Sequence, residues 1–154
     1  MKTLIAYFSA ESGTTARVAR EAAEALGADL FEIRPQKPYS PADLRYTNPL
    51  ARCNLEFFGR KTVPVAETVK DFAAYERICL GFPIWYGCAP LVVNTFCRCH
   101  DWTGKEILAF ATSGGSPIGR TAEKLQPCVP GGKLLGAKLL RSGAELAAWV
   151  RELD

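Results

Sequence analysis

Leu4 to Phe8 is a continuous apolar run rich in strand-forming residues, and the chain after it changes period. From Thr14 to Leu26 the apolar positions Val18, Ala19, Ala22, Ala23 and Leu26 fall on one helical face, and Gly27 stands where a helix-ending glycine belongs. The opening thus predicts strand, turn and helix. Leu30 to Arg34 interleaves Glu32 and Arg34 with apolar neighbours, the pattern of an edge strand. Ile78 to Phe82 and Ile107 to Ala111 are apolar throughout, as parallel strands buried on both faces must be. Helices are predicted after each: Leu91 to Cys99, opened by Pro90 in the first turn, and Gly119 to Leu125. Gly136 to Arg141 predicts the last strand. Ser142 and Glu145 then form a capping box, and Leu146, Trp149, Val150 and Leu153 supply one face of a terminal helix.

Strands alternating with helices give a doubly wound α/β protein with a parallel sheet and helices on both faces. Residues 35 to 75 break the alternation, being rich in proline and polar groups, with a short helix expected only near Val65 to Phe72. Connections that long are commonly functional or disordered. No repeat or internal boundary interrupts the chain, so residues 1–154 are expected to form one domain. Ile78 to Cys97 is uncharged and long enough to span a bilayer, but Gly81, Pro83, Gly87, Pro90 and Asn94 exclude a lipid-facing helix. No membrane span is expected.

The first residues lack the apolar core of a secretion signal. Six cysteines without export or paired spacing therefore read as buried, reduced thiols, and the expected location is cytoplasmic. The net charge of +3, from 19 Lys and Arg against 16 Asp and Glu, is too mild and too evenly mixed to imply a nucleic-acid partner. Two local surpluses stand out. Arg34, Lys37, Arg45, Arg52, Arg60 and Lys61 face only Asp43 and Glu56, and Lys124, Lys133, Lys138 and Arg141 have no acid among them. Both read as solvated surface.

In an open parallel sheet the ligand crevice lies beyond the carboxyl ends of the strands. The loop after the first strand, Ser9-Ala10-Glu11-Ser12-Gly13-Thr14-Thr15, sets hydroxyls around a glycine at a helix N-terminus, which suits a phosphate. It has no Lys, Arg or Cys, which excludes a Walker A or phosphatase loop, and it lacks the GxGxxG of dinucleotide folds. Its plainer alternative is an ordinary Ser/Thr helix cap, the lesser reading even for this loop alone. After the third strand, Pro83-Ile84-Trp85-Tyr86-Gly87-Cys88 offers two aromatics for a planar ring, with Gly87 free to take positive φ. Alone, those aromatics would merely cover core. After the fourth, Thr112-Ser113-Gly114-Gly115-Ser116 lets backbone amides approach a heterocycle edge, or is simply a turn. Their coincidence at one crevice points to a phosphorylated planar ligand.

Other constellations are weaker. Cys97, Cys99 and His100 have the look of a metal tract, but residues two apart on a helix point about 200° apart and cannot chelate together. No metal site, nucleophile–base pair or catalytic residue is assigned, which favours chemistry done by a cofactor.

With these motifs the sequence resembles the flavodoxins, more narrowly their short-chain, flavodoxin-like bacterial members. The resemblance covers nearly the whole chain, through LIAYFSAESGTT, LGFPIWYGCAP, DWTGK, FATSGGSPIG and the terminal strand and helix. It implies a flavodoxin-like five-stranded sheet of order 2-1-3-4-5, noncovalent FMN, and electron transfer between redox partner proteins. Ser9, Ser12, Gly13, Thr14 and Thr15, with Ala10 in the same loop, would hold the phosphate. Pro83, Ile84, Trp85, Tyr86 and Gly87 would line the isoalloxazine, and Thr112, Ser113, Gly114 and Gly115 would meet its pyrimidine edge. Three features depart from the family pattern. Glu11 lengthens the first loop and is expected to turn its side chain to solvent. The fourth loop lacks the outer-face aromatic, so that face is open or covered by Tyr46 or Phe57. The chain is basic where electron-carrying flavodoxins are acidic. The alternative function is an NAD(P)H-dependent FMN or quinone reductase of the same fold, which the basic charge favours. A binding module for some other phosphorylated ligand comes third.

Overall fold

Successive residues of the central strands enter two different cores. In this computed structural model, which describes residues 1–10 and 13–154, the chain runs β1 (Thr3–Tyr7), α1 (Thr14–Leu26), β2 (Asp29–Glu32), α2 (Arg52–Phe58), β3 (Arg77–Pro83), α3 (Leu91–Arg98), β4 (Glu106–Thr112), α4 (Thr121–Leu125), β5 (Lys133–Leu139) and α5 (Gly143–Glu152). The five strands pair in parallel throughout, in the order β2-β1-β3-β4-β5. Leu4, Ala6, Ile78, Leu80, Phe82, Ile107 and Ala109 pack on one face with α3 and α4. Ile5, Tyr7, Cys79, Leu108 and Phe110 pack on the other with α1 and α5. Both faces are covered, which is why β3 and β4 lack the polar alternation of a half-exposed strand. Gly81 is required by packing, because a Cβ there would lie 2.1 Å from Cζ of Phe110.

The local signals act as the sequence implies at several ends. Gly27 closes α1 with φ 63°, its N–H donating to the Ala23 carbonyl. Ser142 Oγ accepts the Glu145 N–H at 3.2 Å, while Glu145 Oε1 accepts the Arg141 N–H at 2.9 Å. Leu153 is the exception on that helix, lying at its C-cap and exposed. Pro90 caps α3 rather than opening it, and α4 begins at Thr121 because Gly119 is left-handed.

Residues 35–75 differ most from expectation. No α-helix covers Val65 to Phe72, where only a 3-10 turn, Phe72–Ala74, begins at the last residue; the segment 64–66 instead pairs with the chain leaving β2, through Gln36 N–H to Pro64 O at 2.9 Å and Ala66 N–H to Arg34 O at 2.7 Å. Val63 and Val65 turn toward the core as alternate residues of an extended strip. The α-helix of this connection is α2, earlier in the chain. β2 stops at Glu32, although Ile33 N–H still donates to Tyr7 O at 2.6 Å. β5 starts three residues before Gly136, and its register against β4 shifts between Ile107 and Leu108. Leu135 is the extra residue at that irregularity, so Leu134 and Ala137, three apart, reach one core while Leu135 and Gly136 face the other, which hides the period-2 signal.

Candidate functional site

The parallel ladders run past the strand ends and gather three loops at one edge. Phe8 N–H donates to Gly81 O at 2.9 Å, and Ile84 N–H to Thr112 O at 3.0 Å. Beyond them lies a cleft of about 730 Å3. Ala10 lines it from the first loop, Ile84, Trp85 and Tyr86 from the third, and Ser113 to Ser116 from the fourth. Leu44, Tyr46 and Cys53 of the long connection complete the wall.

In the first loop Gly13 takes φ 70° and enters α1 without a capping side chain. Ser9 supplies the cap instead, its Oγ accepting the Ala16 N–H at 3.2 Å. Among the described residues the first turn of α1 carries no acid to offset the positive end of the helix dipole. Thr14 opens the helix, and the Thr15 hydroxyl pairs with that of Thr112 at 2.7 Å, both residues buried. The first and fourth loops are thereby tied together. Ser12 and Glu11 lie outside the described residues.

The third loop is a miniature hairpin. Trp85 and Cys88 exchange backbone hydrogen bonds at 2.9 and 3.1 Å, leaving Tyr86 (φ 55°) and Gly87 (φ 75°) at the tip. Positive φ at both positions is the type I′ pattern that Asn-Gly ordinarily fills. A tyrosine there costs about 1–2 kcal/mol. The connection holds it in place: the Tyr86 hydroxyl donates to Asn54 Oδ1, and its ring stacks on Phe57 at 4.1 Å and 11°. Asn54 is 5% exposed, and its Nδ2 donates to the carbonyls of Tyr46 at 2.9 Å and Asn48 at 2.7 Å. A single buried amide therefore joins Tyr86 to the Tyr46 segment. Burial, and then the neighbouring Cys53 thiol, push the Tyr86 phenol up, so it stays a neutral donor.

Trp85 is fixed from behind. Phe8 and Tyr39 meet its ring edge-on at 5.5 and 5.4 Å. Tyr39 in turn donates to Glu56 Oε1 at 2.5 Å beneath the Arg52 guanidinium, 4.1 Å from its ring centre. Gly87 closes the hairpin against α4, its carbonyl accepting the Arg120 N–H at 2.8 Å. Cys88 donates to Trp85 O, and burial raises its thiol above the usual range, away from thiolate reactivity.

Of the residues singled out by sequence, Ala10, Ile84, Trp85, Tyr86, Ser113, Gly114 and Gly115 thus border the cleft. Ser9, Gly13, Thr15, Thr112 and Gly87 shape the loops around it, and Pro83 ends β3. Tyr46 lines the cleft, whereas Phe57 turns onto Tyr86. Ser116 ends the loop already marked after the fourth strand, whereas Leu44, Cys53 and above all Asn54 carried no sequence signal, because a polar connection gives no period that would mark one amide as buried.

All six cysteines are free thiols; Cys53, Cys79, Cys97 and Cys128 are buried as expected, but Cys88 is half-buried in the hairpin and Cys99, at the end of α3, is exposed. His100 serves packing. His100 lies between Phe72 and Phe96, its Nε2 accepting the Val69 N–H and its Nδ1–H donating to Phe96 O. Among the described residues no helix is long and apolar enough to cross a membrane.

Against known proteins, the family model described as Flavodoxin matches residues 2–153. A candidate flavoprotein from Bacteroides eggerthii is 35% identical with a TM-score of 0.89, over 98% of this chain and 96% of that one. Another from Bacteroides uniformis is 37% identical with a TM-score of 0.88, over 97% of each. A Lactobacillus acidophilus flavoprotein crystallised in complex with FMN is 20% identical, with a TM-score of 0.73 over 97% of this chain and 98% of that one, and shares the fold. No curated protein sequence matches the chain.

Proposed function

Because the chain belongs to the flavodoxin family, we propose that it binds one FMN in the cleft and carries electrons between partner proteins. The observation that carries this reading is the convergence of the three loops on one cleft with a fixed Trp85 wall. The residues present fit the cofactor. A Cβ built on Gly13, Gly114 or Gly115 meets nothing within 4 Å, leaving backbone open to a ligand on both sides of the cleft. The start of α1, with Ser9, Ser12, Gly13, Thr14 and Thr15, would hold the phosphate through amides, hydroxyls and the helix dipole. Trp85 and Tyr86 would flank the ring, and Ser113, Gly114 and Gly115 would meet its polar edge. Bound FMN supplies one- and two-electron redox chemistry that no side chain here offers.

The reductase reading stands second, favoured by the exposure of Tyr46, which leaves the cleft accessible to a small substrate. Steady-state oxidation of NADH and NADPH by the FMN-loaded protein alone, with a quinone as acceptor, separates the two. A carrier shows no sustained turnover without a partner reductase; sustained oxidation makes the protein the reductase.

A further inference from the structure

Long connections usually bury what apolar groups they have, and this one does the opposite around its helix. Tyr46, Leu50 and Phe58 are between 73% and 77% exposed, and Leu55 is exposed beside them. Leu55 and Phe58, three residues apart on α2, share one helical face. Phe58 meets the Tyr86 ring at 5.8 Å, and Tyr46 is tied to Tyr86 through Asn54. The apolar surface is therefore continuous with the cleft, since Tyr46 and Tyr86 belong to both. Exposed apolar surface gathered at a functional edge marks an interaction site more often than scattered single residues do.

The free charges next to it are cationic. Of the acids in this connection, Asp43 and Glu56 are both engaged by Arg52 and Glu67 by Arg34, while Asp71, well along the chain from α2, makes no ion pair among the described residues. Lys37, Arg45, Arg60 and Lys61 make no ion pair among the described residues. Arg45 adjoins Tyr46, and Arg60 and Lys61 follow Phe58 directly. Cationic groups thus rim an apolar centre, the arrangement of a docking face with a desolvated middle and a charged border. A second copy of the chain would set these cations against themselves. A membrane surface would need a longer amphipathic helix than the seven residues of α2.

We propose that Tyr46, Leu50, Leu55 and Phe58, with the unpaired Arg45, Arg60 and Lys61, form the docking face for an acidic redox protein that carries its own apolar contact patch. Its use in electron transfer rests on the function proposed above; the face itself does not. Docking there places the partner over the side of the cleft where Tyr46 and Tyr86 reach solvent. The free cations steer an anionic partner from solution and the apolar centre holds it.

The test is an NMR titration of the isotope-labelled protein, with and without FMN, using a reduced acidic blue-copper protein that has an apolar patch as probe. A basic c-type cytochrome serves as the opposite-sign control. The amide shifts from the copper protein should centre on residues 45–61, and the cytochrome should leave them unmoved. Arg60→Glu with Lys61→Glu should weaken the copper-protein affinity about tenfold at low salt. Lys70→Glu with Lys133→Glu, which removes the same net charge elsewhere, should change it less than threefold by the same steering argument. Phe58→Ser should weaken binding at high salt as well. Shifts centred elsewhere, equal weakening by both charge pairs, or equal binding of the cytochrome at this face would overturn the proposal. So would co-sedimentation with anionic lipid vesicles through the same residues in place of protein binding. A chain that takes no FMN fails the functional reading at loading, while the FMN-free titration still decides the docking face.

Discussion

The hydroxyl of Tyr86 donates to the amide oxygen of Asn54, 32 residues earlier, and that contact holds a tyrosine in a backbone conformation normally left to Asn or Gly. The opposite end of the same amide binds the carbonyls of Tyr46 and Asn48. Asn54→Ala removes three partly buried hydrogen bonds and frees the strained hairpin. The expected loss is about 2–3 kcal/mol by urea unfolding, at roughly 1 kcal/mol per bond. In a cycle with Tyr86→Phe, the two losses should fall short of additivity by about 1 kcal/mol. Strict additivity would mean that the two side chains act independently.

Gly81 faces the Cζ end of the Phe110 ring in the sheet, where both residues are buried. Gly81→Ala should destabilise the protein by about 1–3 kcal/mol through overpacking. Phe110→Leu in the same chain should recover part of that loss. A stable Gly81→Ala protein with unchanged melting temperature would refute the contact.

The paired hydroxyls of Thr15 and Thr112 predict a different asymmetry. Thr15→Val leaves the Thr112 hydroxyl buried without its partner and should cost about 1–2 kcal/mol. Adding Thr112→Val should cost little more, because the second change removes the orphaned group. Chemical denaturation of the three variants measures this directly.

Burial holds the His100 imidazole below its usual value of 6.5, outweighing the Phe96 carbonyl that pulls the other way. The neutral ring uses both nitrogens, and protonation at Nε2 would deprive Val69 N–H of its acceptor. The folded state therefore prefers the neutral form. Its contribution is complete above the unfolded value and is lost as pH falls below about 6.5 toward the lower folded value. Between pH 7 and pH 5 the protein should lose more stability than its His100→Gln variant. Parallel pH profiles would show that His100 contributes nothing to that loss.

The parts of the fold legible in the sequence are those where one local signal dominates. The unbroken apolar runs of β3 and β4 mark strands covered on both faces, Gly27 ends α1, and Ser142 with Glu145 starts α5. α2 escaped because it is short and turns Leu55 and Phe58 outward while burying Asn54, the reverse of an amphipathic helix. Val65 to Phe72 misled because Val65, Val69 and Phe72 stand at i, i+4 and i+7, a helical spacing, and all three reach one core without forming a helix between them. At the site, the loop motifs were legible because they follow directly from strand ends. The support of Tyr86 was not, since it depends on a contact between two distant segments. Gly87 was the residue marked for positive φ; nothing local marked Tyr86 beside it.

FMN binding is the central claim, and titrating the cofactor-free protein against FMN and riboflavin by flavin fluorescence tests it most directly. The account predicts quenching of one equivalent of FMN, with riboflavin bound at least tenfold more weakly. Hydrogen bonds from the first loop to a charged phosphate are worth about 1.5–3 kcal/mol each, and about 1.4 kcal/mol is a factor of ten. Absence of quenching, or equal affinity for both ligands, would contradict it.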